Sequence, residues 1–207
     1  MRDKTNDIRR IFAYATAAAL FLQLLLFVVS WLIAAAMPDN TVRSLLGNEG
    51  IRWFFGSFVS NVASKPLVWM LVLAMAWGTI TQCGIARALV KRRKPLAYRQ
   101  RFALRAVFVE LIIAVVIIVF LAFVPNAPLR SVTGQLFPGS FSRSLVPMLA
   151  FCTIVMAVTY GLLSGAMKGV VDVFNALAEG IRQFIPLFIL YVAAVQLFFS
   201  IIYVFQL

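Results

Sequence analysis

AVFVELIIAVVIIVFLAFV, residues 106–124, is a run of nineteen residues with a single charge, Glu110. As a helix rising about 1.5 Å per residue, it nearly matches the roughly 30 Å hydrocarbon layer of a bilayer. Four further stretches are long and apolar enough to cross: 11–37, 66–86, 145–167 and 183–207. None of those four carries a charge between its flanking residues. The chain as a whole is 63% hydrophobic and 13% charged, with a mean hydropathy of +0.96. Soluble domains contain a much smaller apolar fraction. The expectation is an all-α integral membrane protein of about five transmembrane helices forming one domain, because each such helix satisfies its own backbone hydrogen bonds. The alternating pattern of a membrane barrel is absent. The first span follows Arg9 and Arg10 and ends in Ala34, Ala35 and Ala36, which resembles a signal peptide. Its uncharged run is too long for one, since such apolar cores hold roughly 7–15 residues.

The cations are unevenly divided. With the amino terminus cytoplasmic, segments 1–10, 87–105 and 168–182 face inward and hold 4, 8 and 2 of the 19 Lys and Arg. Only Arg43, Arg52, Lys65, Arg130 and Arg143 face outward. Lys and Arg beside a span resist translocation, so this bias places the amino terminus inside. The basic loop 87–105 contains Lys91, Arg92, Arg93, Lys94, Arg99, Arg101 and Arg105. In a soluble protein such a run would point to nucleic acid. Here a single aromatic, Tyr98, and a short tether to the bilayer favour anionic lipid headgroups. The loop is therefore read as a topology signal that contacts membrane lipids, with no nucleic-acid partner.

Catalytic groups are scarce. The sequence has no histidine, the commonest general base and nitrogen metal ligand. The two cysteines, Cys83 and Cys152, lack metal-ligand spacing and read as packing residues. No catalytic residue, metal or cofactor is expected, and the chain does not read as an enzyme. Six of the seven acids lie in loops or at ends, leaving Glu110 about one turn inside the third span. Its depth favours an interfacial pair with Arg105 or Arg101 over a proton relay. With Thr79, Thr81 and Gln82 it forms a candidate intramembrane polar site. Those three residues and Gln23 can either line a cavity or bond between helices.

Gly161, Gly165 and Gly169 recur every four residues, a spacing that opens a groove on a helix face for close packing. Residues 51–59, IRWFFGSFV, are too short to cross but aromatic enough for a re-entrant or surface helix. Residues 168–182 have helical periodicity and read as an inner surface helix leading into the last span. The segment 125–140, rich in Pro, Gly and Ser, reads as an outer loop.

Two regions resemble the aminobenzoyl-glutamate transporter (AbgT) family of bacterial inner-membrane proteins. One is VRSLLGNEGIRWFFGSFVSN with KPLVWMLVLAMAWGTITQCGIARALV, within residues 42–90. The other is APLRSVTGQLFPGSFSRSLVPMLAF with TYGLLSGAMKGVVDVFNAL, within 127–177. The resemblance implies a bacterial inner-membrane, dimeric, transporter-like chain. Members are roughly twice this long and build their substrate site on two helical hairpins. Neither hairpin is recognisable here. The first would stand where the basic run around residues 91–105 is, and the second would begin near Leu207. Where the family has a helix-breaking Pro-Gly, this chain has Met156 and Ala157, and the paired glycines and Glu-Lys of the second span are replaced by Ala76, Gly78, Thr81 and Gln82. No substrate or ion ligand is carried over. The expectation is a scaffold that self-associates, a dimer being favoured, or supports a larger membrane-protein complex without independent transport. The alternative is an oligomeric carrier or pore for a small anionic solute such as aminobenzoyl-glutamate or an antimetabolite.

Overall fold

The computed structural model describes residues 2–37, 41–85, 97–123 and 140–206, and the side chains of 7–37, 41–85, 97–120 and 144–206. Regular structure among them is entirely helical: α1 (Arg2–Ala36), α2 (Asn48–Gly56), α3 (Phe58–Val62), α4 (Lys65–Cys83), α5 (Tyr98–Phe123), α6 (Ser140–Ser164) and α7 (Val170–Phe205). Helices α1, α4, α5, α6 and α7 are each long and apolar enough to cross a membrane. The protein is thus a multi-pass membrane protein. Lys91, Arg92, Arg93 and Lys94 and all but the last residue of the expected outer loop 125–140 lie outside the described residues, and that last residue, Ser140, begins α6.

Local sequence explains the boundaries. Pro66 occupies the first turn of α4, where a missing backbone N–H leaves no bond unmade. Helix α5 starts at Tyr98, well before the expected span boundary at residue 106. Residues 98–105 contain Arg, Gln, Ala and Leu, all good helix formers, with no Gly or Pro among them. Arg99, Arg101 and Arg105 therefore stand on the opening turns of a helix and not in a loop. Helix α6 continues without interruption through Met156 and Ala157. The surface helix expected over 168–182 leads into the last span without a break: both belong to α7, a continuous helix of 36 residues. At about 1.5 Å per residue, α7 is much longer than a bilayer core is thick. It carries Pro186 internally, which helices in lipid tolerate when neighbours re-satisfy the freed carbonyl.

The chain divides into two compact units, Met1–Val68 with Phe184–Leu207, and Trp69–Gln183. In the first, the segment after α1 follows the second half of α7. The Arg43 backbone N–H donates to the Val204 carbonyl at 3.0 Å. Trp53 stacks on Tyr203 with ring centroids 4.2 Å apart, and the Arg43 guanidinium lies 5.7 Å from the Tyr203 ring centre. Further along, Asn61 Nδ2 donates to Gln196 Oε1 at 3.4 Å, and the Ser64 and Tyr191 hydroxyls are hydrogen-bonded. From Val204 to Tyr191 these partners cover thirteen positions of α7, an axial distance of about 20 Å. The aromatic segment accordingly runs along the second half of α7 in the direction that leads into α4. Leu45, fully buried, anchors its start by donating its N–H to Ser30 Oγ at 3.1 Å. Gly50 is needed beneath it, because a Cβ there would meet Leu45 Cα at 2.6 Å.

The second unit has a core of Cys83, Ala103, Ala157, Tyr160, Met167 and Ala176. Most of these side chains are small, so the helices approach closely. Helices α4 and α7 approach closely. A Cβ on Gly78 would lie 2.5 Å from the Gly180 nitrogen, and one on Gly180 would meet the Ala74 carbonyl. Ala74 and Gly78 on one helix, and Ala176 and Gly180 on the other, have the small-residue spacing that lets helices associate in lipid. In their most apolar windows, 28% of α4 is buried but only 6% of α5. Helix α4 is thus the most buried of the five long helices and α5 the least.

Candidate functional site

The expected glycine stripe does not form a continuous helix face. Helix α6 ends at Ser164, and Gly165 adopts φ +79, the left-handed conformation that commonly closes a helix. Gly169 lies beyond that turn, with nothing within 4 Å of a Cβ placed on it. Gly161 is on the helix, but its groove is filled from within the chain: a Cβ there would stand 2.7 Å from Met167 Sδ. The return turn folds Met167 over Gly161, and the Met167 N–H donates to the Gly161 carbonyl at 2.9 Å. Four-residue spacing crossed a helix end, which periodicity alone did not reveal. The close contact is made by Ala74, Gly78, Ala176 and Gly180, whose two Ala-x-x-x-Gly motifs were the available signal.

Of the polar residues expected within spans, Thr79 and Thr81 bond inside their own helix. Their hydroxyls donate to the carbonyls of Ala76 at 2.8 Å and Gly78 at 2.9 Å. Thr79 is also fully buried. Gln82 borders a second, polar cleft of about 290 Å3 with Asp172, Asn175 and Glu179. Gln23 does bond between helices, its Nε2 donating to Ser200 Oγ at 2.9 Å. Gln23 Oε1 and Gln196 Nε2 are buried without a partner, which leaves one acceptor and one donor open inside the same unit.

Glu110 occupies a different setting. It lies on the side of α5 facing α6, where Thr159 Oγ1 donates to its Oε1 at 3.3 Å. Its other oxygen, Oε2, is shielded and has no hydrogen-bond partner among the described residues. The expected ion pair with Arg105 is not formed; the pair within 4.0 Å among the described residues is Glu179 with Arg182, at 3.7 Å. Helix geometry accounts for this. Positions five apart differ by about 140° around the axis, and positions nine apart, as for Arg101, by about 180°. Arg105 and Glu110 nevertheless border one cleft of about 500 Å3, together with Phe102, Val109, Ile113 and Thr159. Its walls are mainly apolar, and its polar groups are one guanidinium, one carboxylate and one hydroxyl.

The comparisons with known proteins identify the chain. A family model, that of the AbgT transporter family, matches residues 86–204, more than half of the sequence. The chain belongs to the AbgT family. This match contains the second of the two regions that resemble AbgT and leaves most of the first outside it. No curated protein and no solved structure matches the AbgT chain. Membership makes it a transporter-like membrane protein, in agreement with its five apolar helices. It also places the Glu110 cleft, α6 and nearly all of α7 within the part of the chain that the family model describes.

Proposed function

We propose that this AbgT chain is a scaffold: a rigid helical body that self-associates, a dimer being favoured, or supports another membrane protein, without moving a solute by itself. The observation that carries this reading is the continuity of the described spans. Solute sites in secondary transporters are built at interrupted helices, whose exposed backbone ends bind cargo and ions. Here α4, α5, α6 and α7 each run unbroken, through Pro147 and Pro186 as well as through Met156 and Ala157. The tight α4–α7 contact adds stiffness. The carrier alternative draws on Thr79, Thr81 and Gln82, and the two threonine hydroxyls already donate within their own helix. The reading includes a bacterial inner membrane, a cytoplasmic amino terminus and no enzymatic activity, supported by the family and by the charge bias.

Crosslinking in native membranes followed by mass measurement in mild detergent tests the association. A dimer, or a stoichiometric membrane-protein partner, is the expected species. A monomer with nothing crosslinked would contradict the reading.

A further inference from the structure

The first part of α7 presents two faces. Ala176 and Gly180 are buried against α4, whereas Val171, Asn175, Ala178 and Arg182 are all exposed. These four lie within the second unit, and their spacing of four, three and four is that of a heptad seam, with which a helix winds along a parallel neighbour. The contact with α4 sets their depth. Helix α4 has 19 residues and is about 28 Å long, so nearly all of it is needed to cross a hydrocarbon layer of roughly 30 Å. Gly78, which faces Ala176 and Gly180, stands about 7.5 Å inside its end at Cys83. Gly180 also meets Ala74, a turn deeper, so α7 enters the bilayer as its residue number rises. Asn175, Ala178 and Arg182 are thus at the depth of acyl chains. An amide and a guanidinium facing lipid there are unfavourable, and such groups in spans characteristically pair with protein. Arg182 has Glu179 on the same helix at 3.7 Å, yet its side chain remains 76% exposed.

We propose that this face of α7 receives the same face of a second copy of the chain, the two helices running parallel about a two-fold axis along the membrane normal. Copies inserted in the same direction meet in that way, each patch against its own counterpart. Three features fit the seam to itself. Ala178 is small, which lets two backbones approach closely in lipid. Asn175 falls at the seam position where an asparagine bonds to its counterpart and fixes both the register and a parallel pair. Ala178 of one copy enters a hole formed in part by Glu179 and Arg182 of the second copy, so each copy brings an acid and a base of opposite sign to the other. The ion pair closed within one helix is thereby exchanged between two. An apolar partner would leave Arg182 unmet, whereas a second copy supplies as many carboxylates as guanidinium groups. The proposal rests on the scaffold reading and names the surface through which the scaffold self-associates.

The test is disulfide crosslinking in native membranes, on the full-length chain carrying Cys83→Ala and Cys152→Ala. Ala178→Cys should join to its own counterpart in most of the protein, and Val116→Cys, on the exposed surface of α5, should not. Added to Ala178→Cys, Glu179→Arg and Arg182→Glu should each lower the yield about tenfold, because like charges then meet across the seam. Co-expression of the two charge variants should restore the crosslink in the mixed pair, where opposite charges meet again although each helix has lost its internal pair. No recovery in the mixture would overturn the proposal. A chain that is dimeric by mass in mild detergent but not crosslinked through Ala178→Cys would overturn this face and leave the scaffold reading standing; a monomer would sink both. Crosslinking of Ala178→Cys to a membrane protein of different mass would overturn the second copy as occupant. If a charge variant does not accumulate, the yield from Ala178→Cys against that from Val116→Cys decides, and equal yields refute the seam.

Discussion

Gly180 and Gly169 look alike in the sequence, yet their surroundings differ sharply. Gly180 faces the backbone of α4, whereas a side chain at Gly169 would point into open space. Gly180→Ala must therefore push two helices apart, at a cost of about 2 kcal/mol, the usual penalty for overpacking. Gly169→Ala should leave stability within about 0.5 kcal/mol of wild type. Thermal unfolding of the detergent-solubilised variants, followed by fluorescence or size exclusion, separates the two. Equal midpoints would refute the α4–α7 contact. Gly165→Ala lies between them, losing about 1 kcal/mol because a Cβ opposes the left-handed backbone at that turn. Glu110 teaches the same lesson about charge. Its depth was evident from the sequence, but its partner was not, because Thr159 lies 49 residues away and Arg105 is on the wrong part of the turn.

At the scale of elements, the aromatic segment and the buried amides are the informative features. Helix α2 is held against α7 by the Trp53–Tyr203 stack and against α1 by the edge-to-face contact of Phe54 with Phe27, at 5.0 Å. Trp53→Ala removes the stack, worth about 1 kcal/mol beyond its buried area, and should loosen the segment from α7. A thiol at Ser60 in a cysteine-free background should then react faster with maleimide; an unchanged rate would show that the stack does not hold the segment. A Gln23→Leu, Ser200→Ala double-mutant cycle should give a coupling of about 1 kcal/mol, typical of hydrogen bonds between helices in lipid. No coupling would mean that the bond does not persist in the membrane. The existence of the long helices was legible because hydropathy over twenty residues overwhelms local preference. Their ends were less legible. Arg99 to Arg105 looked like loop because charge was given more weight than helix propensity, whereas the helical periodicity of residues 168–182 was legible and only its unbroken join to the last span was not.

At the scale of the molecule, composition showed a helical membrane protein and motif order showed the family, whereas the contacts between distant segments needed coordinates. The orientation proposed from the charge bias is checked by accessibility. A cysteine at Asp7 should be protected from an impermeant thiol reagent in intact cells, and one at Gln206 should be labelled; the reverse would invert every span. The central claim is that this chain supports and does not carry. Its most direct test is flux through proteoliposomes that contain this protein alone, loaded with radiolabelled aminobenzoyl-glutamate or a sulfonamide. The account predicts uptake and efflux no faster than in protein-free vesicles, whereas saturable, protein-dependent flux of either solute would contradict it.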